Sequence, residues 1–234
     1  MGERIGLSKN VKLEWMNLAA ELKATGKTQD EAYPILNDKI AETIKSSVNL
    51  KQIRVILFNM WYRPEDWFLE KSTECINSIS LSERIAVHWA LLLKRYSVFF
   101  DLSTVIGDLF SYRDEITLGQ IRNRIIEKWG ARETLQNALP KNIQTYKELT
   151  AIDAGKAPGS YLKGNITVDD PHIVQLLVAA LLEQSGREYM RWEDILQHPA
   201  LFPFHIQHVT QADMAACEYL LLERMGDDVV IRCK

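Results

Sequence analysis

The chain has 234 residues, 47% of them hydrophobic and 25% charged, with a formal net charge of −3 at pH 7. That length suits one large helical domain or two to three small ones, and the balance of apolar and charged residues excludes long-range disorder. A chain of this overall charge is not coated in nucleic acid, so any contact with phosphates has to be local. The most apolar run, residues 173–182, is interrupted by Gln175 and is too short to cross a bilayer. Residues 1–15 lack the apolar core of a secretory signal. Cys75, Cys217 and Cys233 lie far apart in sequence with no CxxC pair and read as reduced thiols. The expectation is a cytoplasmic protein with no membrane partner.

Helical spacing dominates the first half. Val11, Trp15, Leu18, Ala19 and Leu22 mark a helix over residues 9–25, closed by Gly26. Thr28 and Glu31 form a capping-box pair for a second helix reaching about Lys45, with Pro34 as a source of a kink. Asn49 is placed to cap a third helix that stops before Pro64, and Pro64 suits the first turn of a fourth. Ser80 and Glu83 form another capping box. The helix that follows is apolar on nearly every face, as a helix at the centre of a bundle is. Residues 1–97 are therefore expected to be a helical bundle.

Residues 98–169 read as a winged helix-turn-helix module. A helix over residues 97–115 is followed by one capped by Thr117, with Leu118, Ile121, Ile125 and Trp129 inward and Arg124 and Lys128 outward. Gly130 supplies a tight turn. The next helix carries Leu135, Leu139, Ile143, Tyr146 and Leu149 on one side and Asn137, Lys141, Gln144 and Lys147 on the other. Pro140 either kinks this helix or ends it near Ala138. A hairpin then runs Ala151–Ala154, a turn at Gly155, Pro158 and Gly159, and Tyr161–Val168. Residues 170–234 repeat the outline: an apolar helix opened by Asp170-Pro171, a short helix at Trp192–His198, a helix from Thr210, and a hairpin turning at Gly226-Asp227.

Charge separates the two modules. Residues 117–163 hold eight basic against four acidic side chains, whereas residues 164–234 hold five basic against eleven acidic. Only the first is suited to approach phosphates. Arg122, Arg124, Lys128, Arg132, Lys147, Lys156 and Lys163 are the candidates for the DNA backbone, and Asn137, Lys141 and Gln144 for base edges. No HExxH, GxxxxGK[ST], GxSxG or strand-linked GxGxxG motif occurs, so no catalytic residue, metal or cofactor is assigned. His198, His205, His208 and Cys217 fit no tetrahedral ligand spacing and read as turn and surface residues, and His88 reads as a core histidine.

Three passages carry a resemblance: SERIAVHWALLLKRYSVFFDLSTVIGDL, ITLGQIRNRIIEKWGARETLQNAL and ILQHPALFPF. Over roughly residues 80 to 205 the chain resembles the BrxA-like family of bacterial BREX phage-defence systems, with Arg122, Arg124, Trp129-Gly130, Arg132 and Thr134 at the matching positions. The resemblance implies a helical bundle similar to that of the antitermination factor NusB, fused to winged-helix elements. It also implies DNA binding without catalysis, beside a methyltransferase, an ATPase and a phosphatase-like protein. The chain departs from the family at Leu139-Pro140-Lys141-Asn142, which is poorer in arginine. The expected function is non-catalytic binding of double-stranded DNA, mainly through phosphates, within such a complex. A protein–protein adaptor and a winged-helix transcriptional regulator are the rivals.

Overall fold

The structure, a computed structural model, describes residues 7–234 and is mainly helical with short strands. No described helix is long and apolar enough to cross a membrane. Five helices come first: α1 (Leu13–Ala24), α2 (Gln29–Ala41), α3 (Ser47–Trp61), α4 (Trp67–Ile76) and α5 (Arg84–Arg95). The capping box at α2 forms, since the Glu31 amide donates to Thr28 Oγ1 at 3.3 Å and the Thr28 amide donates to Glu31 Oε2 at 2.8 Å. This helix runs through Pro34 unbroken and stops at Ala41, earlier than its sequence pattern suggests. Two caps differ from expectation. Ser46, not Asn49, caps α3, accepting from the Asn49 amide at 3.4 Å. Asp66, not Pro64, opens α4: its Oδ1 accepts from the Leu69 amide at 2.9 Å while its carboxylate holds Arg95. A side-chain acceptor fixes each start, which the apolar spacing alone does not locate. Every residue of α5 from Ile85 to Leu93 is buried, as its all-round apolar sequence requires.

Two runs of elements follow with the same order. The first is α6 (Ser97–Phe110), β1 (Glu115–Thr117), α7 (Leu118–Trp129), α8 (Glu133–Glu148), β2 (Ile152–Ala154) and β3 (Ser160–Lys163). Its strands form an antiparallel sheet in the order β1-β3-β2, with Ile116 opposite Tyr161 and Asp153 opposite Leu162. After β4 (Ile166–Val168), the second run is α9 (Pro171–Ser185), β5 (Met190–Arg191), α10 (Trp192–Leu196), α11 (Gln211–Ala215), β7 (Leu220–Met225) and β8 (Asp228–Cys233). Its sheet has the order β5-β8-β7. Between α10 and α11 the chain inserts a 3₁₀ turn (Pro199–Leu201) and β6 (Phe204–Ile206). The hairpin strand expected to continue to Val168 is thus split: residues 166–168 leave it and pair in parallel with β6, Thr167 opposite His205. Gly164 makes the break possible. A side chain there would place Cβ 2.1 Å from the Thr150 carbonyl oxygen.

Among the described residues one continuous apolar core runs through the five-helix segment and both later runs. Trp89 of α5 lies near its centre, with the rings of Phe99, Tyr146, Phe202 and Phe204 packed edge-on at centroid distances of 5.1, 5.4, 5.5 and 5.4 Å. Its indole N–H donates to the Ala200 carbonyl at 3.0 Å, so the polar end of this large side chain is satisfied within the core. The 3₁₀ turn seats so closely on α6 that a Cβ at Gly107 would fall 2.0 Å from the Pro199 carbonyl oxygen.

Candidate nucleic-acid interface

α7 begins at a capping box: the Gln120 amide donates to Thr117 Oγ1 at 3.3 Å and the Thr117 amide donates to Gln120 Oε1 at 2.8 Å. Ile121 and Ile125 are buried, with Leu118 and Trp129 partly so, and Gly130 at φ +75° ends the helix. α8 then runs unbroken from Glu133 to Glu148, through Pro140. The proline does not end it because Pro140 and Gln136 are both exposed, leaving the freed Gln136 carbonyl within reach of water. Leu135, Leu139, Ile143 and Tyr146 face the core. The Tyr146 hydroxyl donates to the Phe99 carbonyl at 3.0 Å and pairs with Ser103 Oγ at 2.8 Å, which fixes the rotation of α8 against α6.

A second tether holds the flank of α8. Asn142, fully buried, accepts from the Leu7 amide at 3.3 Å and donates to the Leu7 carbonyl at 3.1 Å. Thr145 Oγ1 accepts from the Val11 amide at 3.1 Å. The segment Leu7–Val11 is thereby stitched along α8, a contact that the spacing of residues did not reveal. With both flanks fixed, Asn137, Lys141 and Gln144 form one exposed stripe.

The ten candidate side chains divide by what they touch. Arg122, Arg132, Asn137, Lys141, Gln144, Lys156 and Lys163 are exposed and, among the described residues, have no ion pair or side-chain hydrogen bond. Arg124 is exposed and makes only a 3.5 Å pair with Glu127, of the solvated kind that contributes little. Lys128 is engaged internally. Its amine lies 2.5 Å from Asp101, a buried carboxylate on α6 that also accepts from the Trp129 indole at 2.7 Å. Lys147 is half-buried, with its amine 5.1 Å from the centre of the Tyr161 ring. Lys156 occupies the hairpin tip, and Lys163 the far end of β3 opposite Ile152, roughly 10 Å away along the strand. The tip is shaped by Glu115 of β1, whose carboxylate accepts from the Lys156 amide at 2.8 Å and from the Ser160 hydroxyl. Those bonds, the Ser160 one first, hold the Glu115 carboxyl below its usual range.

The histidines and cysteines have structural settings. His198 caps the 3₁₀ turn, its Nδ1 accepting from the Ala200 amide at 3.1 Å, and burial pushes its pKa down to about 4. His88 is fully buried, shares a 2.9 Å hydrogen bond with Asn17, and is pushed by burial to about 3. No group of three His, Cys, Asp or Glu side chains suited to a metal ion occurs among the described residues. Two residues absent from the sequence reading also stand out. Tyr112 and Arg113, in the turn after α6, project beside Arg124, and Tyr112 is 87% exposed. Their signal in the sequence is an aromatic residue that falls outside any apolar stripe. The chain matches no family model, no curated protein and no solved structure.

Proposed function

We propose that the protein is a non-catalytic DNA-binding component of a bacterial phage-defence complex of the BREX type. The order α6-β1-α7-α8-β2-β3, with its β1-β3-β2 sheet, is read as a winged helix-turn-helix with α8 as the groove-reading helix and β2–β3 as the wing. The later run is read as a second, acidic winged copy, and the five-helix segment as a NusB-like bundle. One observation carries the DNA reading: the exposed stripe Asn137, Lys141 and Gln144 on α8 lacks side-chain partners among the described residues, as do Arg122, Arg132, Lys156 and Lys163 of the same run. Unpartnered cations around an unpartnered amide-bearing helix face match what phosphates and base edges require. The resemblance to the BrxA-like family supplies the defence setting and the expected protein partners.

Titration of a DNA duplex at two salt concentrations tests the reading. The four free cations assigned to phosphates, Arg122, Arg132, Lys156 and Lys163, give a slope of log affinity against log salt of about −4. Replacing Arg122→Glu and Lys156→Glu together reduces that slope by about two and weakens binding at low salt by at least about tenfold. Absence of binding at low salt, or binding indifferent to the double variant, overturns it. The adaptor reading draws on the second run, where two of the three strand arginines are engaged by acidic neighbours, Arg191 by Asp194 and Arg232 by Glu223.

A further inference from the structure

Between the end of α6 and the middle of α7 lies a cleft of about 430 Å³, lined by Val105, Asp108, Leu109, Tyr112, Arg113 and Arg124. That volume falls in the range of small-molecule sites. Its chemistry is mixed in a specific way. Val105 and Leu109 give an apolar floor, Tyr112 an aromatic face, Asp108 a hydrogen-bond acceptor, and Arg113 and Arg124 two guanidinium groups. The Tyr112 side chain, at 87% exposure, is the most exposed large apolar side chain among the described residues, and it makes no ring contact or side-chain hydrogen bond there. Arg113 likewise has no partner, and Arg124 has only its solvated pair with Glu127. An aromatic face held out in water beside two uncommitted guanidiniums is built for a flat ring that carries a negative charge.

We infer that this cleft takes one unstacked nucleotide. Its base lies on Tyr112 over the apolar floor, with an amine donating to Asp108 and its phosphate between Arg113 and Arg124. Every base has a face that stacks on an aromatic ring, so the site is tolerant of sequence, and the guanidiniums supply the charge match. Partial burial raises the Asp108 carboxyl above its usual range, against the pull of Arg124. The inference deepens the DNA reading and rests on it for the source of the nucleotide. A protein of this kind favours duplexes in which one base is already out of the stack, because a damaged or unpaired base costs least to extrude.

The test compares a duplex carrying a single unpaired 2-aminopurine with the fully paired duplex of the same sequence, at one salt concentration. The wild-type protein binds the bulged duplex about tenfold tighter, on the scale of one base–aromatic stack, and alters the probe's fluorescence. Tyr112→Ala brings the bulged duplex down to the level of the paired duplex measured with the same variant, whereas Tyr112→Phe retains the preference. Equal wild-type affinity for the two duplexes, or a preference that survives Tyr112→Ala, overturns the inference. If neither duplex binds, the DNA reading falls, and titration with deoxyadenosine monophosphate decides the cleft separately. Binding by the wild type that is lost in Tyr112→Ala upholds it, and no binding overturns it.

Discussion

The runs 97–163 and 171–233 share an order of elements and a sheet order, but their cations do different things. In the first, Arg122, Arg132, Lys141 and Lys156 are exposed and their side chains make no ion pair or hydrogen bond among the described residues. In the second, Arg191 bonds to Asp194 at 2.9 Å, Arg232 to Glu223 at 3.0 Å and Arg224 to the Gly226 carbonyl at 3.3 Å, while the Arg187 side chain makes no hydrogen bond or ion pair among the described residues. The third helix differs as well, with 16 residues in α8 and 5 in α11. A short helix, in a run whose arginines are mostly held by neighbouring groups, offers little to a phosphate. The layout of elements is thus a scaffold, and the surface chemistry placed on it decides what it can contact.

The comparison can be broken or sharpened in four ways. The largest effect is expected from Trp89→Ala, because the indole packs against rings from both runs at once. It should cost roughly 3–5 kcal/mol and still give a single transition in urea followed by fluorescence and circular dichroism. Two separated transitions would mean that the runs unfold independently. Gly107→Ala comes next: the new methyl meets the Pro199 carbonyl, and the forced movement of the 3₁₀ turn should cost about 1–3 kcal/mol in the same assay. An unchanged midpoint would contradict the close seating of that turn on α6.

A smaller effect follows from pH. Burial holds His88 and His198 at about 3 and about 4, below their ordinary 6.5, so the unfolded chain binds protons that the folded one refuses. Their contribution is complete above the ordinary value and is lost as pH falls toward the folded values, by up to about 1.4 kcal/mol per pH unit for each histidine. Urea midpoints between about pH 7 and about pH 5 in the wild type and in His198→Gln measure this. The variant should show a shallower decline, and an identical one would remove the 3₁₀ turn's histidine from the account. The smallest effect is a control: Arg224→Glu on the second run should change affinity for duplex DNA by less than about twofold, and a larger loss would place DNA on both runs.

Much of the helical layout was legible because its signals are local. Thr28, Thr117, Asp170 and Thr210 each sit where a side chain caps a helix, and the apolar stripes of α7 and α8 follow from a period of 3.6 residues. The hairpin turning at Gly226-Asp227 was visible for the same reason. Strands of three residues are too short to show a period, so β1 and β6 left no trace, and Ile166–Val168 read as a continuation of the hairpin rather than as the partner of β6. Long-range partners were also hidden. Nothing near Lys128 announces that Asp101, on the preceding helix, takes its charge, and nothing near Asn142 announces Leu7. At the candidate interface, residue types and side of helix were readable, but which cations remain free was not. Tyr112 was missed because residues 97–115 read as one helix, whereas α6 ends at Phe110 and leaves Tyr112 in the turn that follows.

The stitch between Leu7–Val11 and α8 also bears on how the molecule is assembled. Its hydrogen bonds join residues 135 and 134 positions apart, so neither end can be settled while the chain between them is still being made. During synthesis the first helices must wait, with Leu7 and Val11 uncovered, until Thr145 has left the ribosome. Contacts of such long range slow folding and prolong the exposure of apolar surface. A fragment that ends before α8 would keep that surface open permanently, so the five leading helices are better regarded as a half-closed shell than as a self-sufficient unit.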